Sequence, residues 1–126
     1  MTTNYKEKKI LEGDFIFLED LLHPLELRRD LLIEHLHIIQ DYYGFLSEKN
    51  LTILSKLLKI SKIEVYEVAS FYAHFDIVKN NEIPPPNMTI RVCNSLSCEL
   101  YGSRKLEAEL LEEFNRKEVR ILKAPC

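Results

Sequence analysis

The 126-residue chain has no tryptophan, only three glycines and only three cysteines, and its formal net charge is −3. Each shortage excludes something. So few glycines leave no glycine-rich loop to bring backbone amides around a phosphate, so no nucleotide site is expected in this chain. A small negative charge supplies no positive field for nucleic acid or for an anionic membrane surface. Charged side chains interrupt every apolar run well short of the roughly 18 residues that a spanning helix needs, so no membrane insertion is expected. The opening residues, Met1 to Lys9, lack the apolar core of a secretory signal. Cysteines without an export signal indicate a reducing compartment, where thiols bind metals or do chemistry instead of cross-linking the fold. The cytoplasm is the expected location.

What is present is ordinary in amount and uneven in arrangement. Apolar residues make up 46% and charged residues 29% of the chain, as in a globular protein. Residues 1 to about 22 show weak patterning, although Phe15, Ile16, Phe17 and Leu18 have the character to dock on a body. A helix is expected from Pro24 to Tyr43, with Pro24 in its first turn, Leu32, Leu36, Ile39 and Tyr43 on its apolar face, and Gly44 ending it. Ser47 suits the N-cap of a second helix carrying Leu51, Leu54 and Leu58. Ser61 and Glu64 form a capping-box pattern for a third helix through Val65, Val68, Ala69 and Tyr72 to about His74. Three such short helices can bury their stripes only against one another or against a partner.

Beyond these helices the pattern changes. Residues 77–87, with Asn80-Asn81 and Pro84-Pro85-Pro86, read as a linker with a stiff polyproline stretch. Met88 to Val92 is strand-like, Ser103 to Phe114 is an amphipathic helix with Leu106, Leu110, Leu111 and Phe114 turned inward, and Val119 to Leu122 is a second strand. This β–α–β order favours a parallel strand pair.

The cysteines sit at the ends of those strands. Cys93 closes the first, Cys98 follows after four residues, just before the helical pattern, and Cys126 follows the second strand. Parallel pairing carries Cys126 to the same edge of the sheet as Cys93. A [2Fe–2S] cluster is held by four thiolates, and these are three candidates. Asn94, Ser95 and Ser97 are small, turn-competent residues with groups able to donate toward cluster sulfides. The spacing alone admits a second reading, with Cys93 a small buried hydrophobe and Cys98 a half-exposed thiol. A thioredoxin-type redox pair is disfavoured, because it uses two intervening residues.

Four ordered blocks connect these features to a known family: His37 to Gly44 (HIIQDYYG), Ile60 to Tyr72 (ISKIEVYEVASFY), Val92 to Cys98 (VCNSLSC) and Val119 to Cys126 (VRILKAPC). From about Leu32 onward the chain resembles the small [2Fe–2S] subunit of NADH dehydrogenase, and above all the versions serving NAD-dependent formate dehydrogenases. The resemblance implies an α+β chain: an N-terminal three-helix bundle over 1–76, the linker 77–87, and a thioredoxin-like β–α–β ferredoxin domain over 88–126. It implies that Cys93, Cys98 and Cys126 are ligands of one [2Fe–2S] cluster. That cluster would exchange single electrons with a partner flavoprotein subunit that carries FMN and binds NAD. In the family a fourth cysteine follows the third, and further strands complete the sheet. The present sequence stops at Cys126, so the fourth ligand is absent from this chain and a C-terminally truncated member is expected.

Other candidates have plainer expectations. His35 and His37 are expected to pack beside the first helix, and His74 to line an interface. Tyr42, Tyr43, Phe45, Phe71, Tyr72 and Phe75 are expected mostly in the core, and Glu107, Glu109, Glu112 and Glu113 on a solvated face. Two competing functions stand beside electron transfer. One is a cofactor-free structural adaptor that docks on the flavoprotein. The other is a helix-turn-helix DNA-binding module over Leu54 to Phe71, disfavoured because Glu64 and Glu67 on its second helix would repel phosphate.

Overall fold

The computed structural model describes residues 12–125, which divide between two compact units, Met1–Ile83 and Pro84–Cys126. The mixture of helices and short strands agrees with the α+β expectation.

Among the described residues, the first unit holds four α-helices where three were expected. They are α1 (Glu12–Leu22), α2 (Leu32–Tyr43), α3 (Glu48–Leu58) and α4 (Lys62–Phe71). The additional helix, α1, covers residues whose sequence pattern was weak. It opens on Glu12 and Asp14, which favour a helix N-terminus, and it buries Leu18 and Leu22 one turn apart. Pro24 does not open the second helix as expected. It lies in the turn that follows α1, and Arg28 is extended at φ −121° and ψ 145°. A short 3₁₀ turn, Arg29–Leu31, then leads into α2. The reason is steric: a proline disfavours the helical conformation of the residue before it, here His23, so α1 stops and a turn intervenes.

Local signals place the remaining ends. Gly44 caps α2 in the left-handed region at φ 79°, and its amide donates to the Gln40 carbonyl at 2.7 Å. The Ser47 hydroxyl accepts from the Asn50 amide at 3.1 Å, and the Ser61 hydroxyl from the Glu64 amide at 3.2 Å. Only half of the expected capping box forms, because the Glu64 carboxylate pairs with Arg29 instead. Ile77 and Val78, expected in the linker, form strand β2 (Ile77–Val78), which pairs in parallel with β1 (Leu46–Ser47). The core lies between the helices and gathers Leu18, Leu22, Leu36, Ile39, Leu54 and Val65, all but absent from the surface. An ion pair between Lys49 and Asp14 at 2.6 Å ties α3 to α1.

The second unit is the expected β–α–β arrangement. Strands β3 (Met88–Cys93) and β4 (Val119–Ala124) pair in parallel, with Met88 opposite Val119 and Cys93 opposite Ala124. Between them lie α5 (Leu96–Leu100), a short helix not anticipated, and α6 (Ser103–Glu113). At the start of the strands the Arg120 guanidinium donates to the Thr89 hydroxyl through Nε at 3.2 Å and Nη2 at 3.1 Å. Among the described residues of this unit, Val92 and Val119 are the buried apolar ones. Leu106, Leu111 and Phe114 remain partly exposed, contrary to the expected inward face, because two strands make too narrow a platform to cover an amphipathic helix. Glu107, expected on a solvated face, reaches Lys123 of β4 at 3.8 Å.

Several aromatic expectations are corrected. Phe75 is core at 7% exposure, but Tyr42, Tyr72 and especially Phe71, at 79%, lie outward. The helical period explains Phe71. Val65 and Ala69 turn the inner face of α4 to the core, leaving Ile63, Tyr66 and Phe71 outside. No helix among the described residues is long and apolar enough to cross a membrane.

Candidate metal centre

The candidate centre is built on the loop that joins β3 to α6. Cys93 is the last residue of β3, and pairing with Ala124 defines its position in the sheet. The next amide, that of Asn94, donates to the Ala124 carbonyl at 3.2 Å, so the ladder continues one step past the cysteine. Ser95 is extended and stands at the N-cap position of α5. The Glu99 amide donates to the Ser95 carbonyl at 2.9 Å, which closes a helical turn around Cys98. Gly102, at φ 100°, then reverses the chain into α6 in a left-handed conformation that suits glycine. The strand end and the helical turn therefore bring two cysteines that are five positions apart to one place.

Cys93 and Cys98 are both half-buried and line the same cleft, about 360 Å³ in volume. Ile90, Val92, Leu106 and Leu110 give it apolar walls, with Tyr101 and Ser103 at its side. An ion pair between Glu99 and Arg104 at 3.3 Å stands on the adjoining turn. Two soft sulfur donors in one concavity with apolar walls suit iron, and the donor chemistry matches half of a four-thiolate set. Cys126 lies outside the described residues. Its chain neighbour Ala124, two positions before it, is the partner of Cys93. No group of three or more metal-ligating side chains occurs among the described residues.

Residues 18–122 match the thioredoxin-like [2Fe–2S] ferredoxin family. The chain belongs to that family. The match includes Cys93 and Cys98 and stops before Cys126. The cofactor expected from the cysteines, a [2Fe–2S] cluster, is the one the family carries. Among curated relatives the chain is 34% identical over 87 residues to the E subunit of NADH-quinone oxidoreductase from Buchnera aphidicola, covering 69% of this chain and 48% of that protein. It is 32% identical to the corresponding E subunit from Aquifex aeolicus, covering 71% and 52% of the two chains. To NADH-quinone oxidoreductase subunit 2 of Thermus thermophilus it is 31% identical over 98 residues, covering 76% and 51%. The chain thus spans about half the length of the curated relatives it matches. Family membership agrees with the resemblance read from the four sequence blocks.

The histidines fall elsewhere. His35 is fully buried, and its Nε2–H donates to the Glu26 carbonyl at 2.8 Å, a packing role as expected. That bond ties α2 to the turn after α1. His37 is exposed, and its ring lies against those of His74 and Phe75. Sequence reasoning missed α5, whose five residues are too few to show a period.

Proposed function

We propose that this chain is the [2Fe–2S]-bearing electron-transfer part of a larger NAD-dependent oxidoreductase, of the NADH:quinone oxidoreductase or NAD-dependent formate dehydrogenase type. The observation that carries the reading is the shared cleft of Cys93 and Cys98 inside the span that matches the ferredoxin family. Cys93, Cys98 and Cys126 are the proposed ligands, with a fourth thiolate from outside this sequence. When bound, a cluster of this type takes up and passes on one electron at a time. The chain's own residues hold and shield the site. Strand pairing positions Cys93, the α5 turn positions Cys98, and Ile90, Leu106 and Leu110 give the cleft apolar walls. The proposed partner is a flavoprotein subunit that carries FMN and binds NAD, in the cytoplasm or at the cytoplasmic face of a membrane complex. The names of the relatives, all subunits of one oxidoreductase, support an assembly of this kind.

The test is anaerobic reconstitution of the chain with iron, sulfide and an excess of a small thiol to fill the fourth position. The expected product binds about two irons per chain, absorbs in the visible and gives an EPR signal on reduction. Cys93→Ala and Cys98→Ala each abolish these signals. Failure to retain iron, or equal retention by either variant, overturns the proposal.

A further inference from the structure

The first unit carries a second constellation of metal-ligating side chains that the proposed electron-transfer role does not use. His37 lies on α2, and His74 lies in the turn between α4 and β2. Both are exposed, and their ring centroids are 4.8 Å apart with planes inclined by 38°. Two imidazoles that share one tetrahedral ion, each at a Zn–N distance of about 2.0–2.1 Å, bring their centroids to roughly 5 Å.

We propose that His37 and His74 together form a binding site for a divalent transition-metal ion of the zinc class. Neutral imidazole suits zinc, copper and nickel, whereas harder ions prefer oxygen. No third histidine, cysteine or carboxylate joins the pair among the described residues, so water fills the remaining positions of the ion. The spacing is built into the scaffold. Phe75, next to His74, is buried in the core, and its ring contacts His37 at 4.9 Å and His74 at 5.4 Å. One residue further on, Asp76 is hydrogen-bonded to Gln40, which follows His37 by nearly one helical turn. The turn that carries His74 is thereby pinned to the helix that carries His37, so the two rings are held close together in advance of any ion.

The inference is independent of the cysteine site, and its test removes that site. Zn²⁺ is added to untagged protein in which Cys93, Cys98 and Cys126 are all serine, and bound metal is measured after dialysis. One zinc per chain is expected. His37→Ala and His74→Ala each weaken binding about 10- to 100-fold or more, since loss of a ligand costs at least as much as loss of an outer partner. His23→Ala leaves binding unchanged. In parallel, the ring signals of His37 and His74 in the natural chain shift on zinc titration in NMR. Absence of saturable zinc in the cysteine-free protein, retention by the two histidine variants, or ring signals that do not move would each overturn the proposal.

Discussion

Gln40 and Asp76, 36 residues apart in the chain, hold each other by two reciprocal hydrogen bonds. The Gln40 side-chain amide donates to the Asp76 carboxylate at 3.2 Å, and the Asp76 backbone amide donates to the Gln40 side-chain carbonyl at 3.2 Å. Gln40 also donates to the Gly44 carbonyl at 3.1 Å, so one nearly buried side chain closes α2 and anchors the strand pair β1–β2. Replacing Gln40 by Leu removes three part-buried hydrogen bonds at once. The expected loss is about 1–3 kcal/mol, read as a lower midpoint in urea unfolding of the chain. A midpoint equal to that of the natural chain would show that the clasp contributes nothing.

Phe71 and Phe75 separate surface from core within one short segment. Phe75→Ala removes a buried ring and is expected to cost about 3–5 kcal/mol. Phe71→Glu, on an outward ring, is expected to leave helicity by circular dichroism and thermal stability nearly unchanged. If the outer face of α4 docks the proposed flavoprotein, the same Phe71→Glu change weakens co-purification with it. Undiminished association would assign the docking to another face.

Lys59 ends α3 in the left-handed region, at φ 56° and ψ 41°. A residue with a Cβ is strained there by about 1–2 kcal/mol, and glycine is not. Lys59→Gly is therefore expected to stabilise the chain by up to about 1 kcal/mol, after allowance for the greater freedom of glycine in the unfolded state. Calorimetry checks the sign. A lower melting temperature would mean that the lysine side chain makes a compensating contribution.

Tyr43 is the described group whose titration bears on stability in alkali. Burial against the core raises its phenol above the ordinary value near 10, with further upward pushes from Tyr42 and Asp14. The folded state therefore holds this proton more tightly than the unfolded chain. The associated stability is fully present below about pH 10 and falls as pH rises through the raised value. In Tyr43→Phe that part of the alkaline decline disappears, so melting curves taken between pH 9 and pH 11 should flatten relative to the natural chain. Parallel curves would assign the decline to other groups.

Much of this architecture was legible in the sequence because local chemistry decides it. Ser47 and Ser61 marked helix starts, Gly44 marked an end, and the alternation around Met88 and Val119 marked a parallel strand pair. What escaped depended on partners distant in the chain. In α1 the apolar residues are so frequent that no clean stripe shows, and only contact with α2 and α3 selects Leu18 and Leu22 for burial. Strands β1 and β2 have two residues each, too few to show an alternation, and they exist because the Leu46 amide meets the Asp76 carbonyl at 2.7 Å. Phe71, Tyr72 and Phe75 are chemically alike in a sequence. Their different fates follow from where α4 ends and which way the following turn points.

The candidate centre divides in the same manner. By itself the sequence offered the candidate donors, the thiols of Cys93, Cys98 and Cys126 at the ends of two strands, of which the first two lie within the span that matches the ferredoxin family. Composition likewise left the chain without a glycine-rich phosphate cradle. Only tertiary structure decided that Cys93 and Cys98 line one cleft, because their convergence depends on the Cys93–Ala124 register, the short α5 turn and the left-handed Gly102 acting together. Only tertiary structure brought His37 to His74, whose approach is made by a core ring and a buried amide clasp rather than by any spacing along the chain. Side-chain type is written residue by residue, whereas proximity between distant residues is set by packing, and packing is a property of the whole unit.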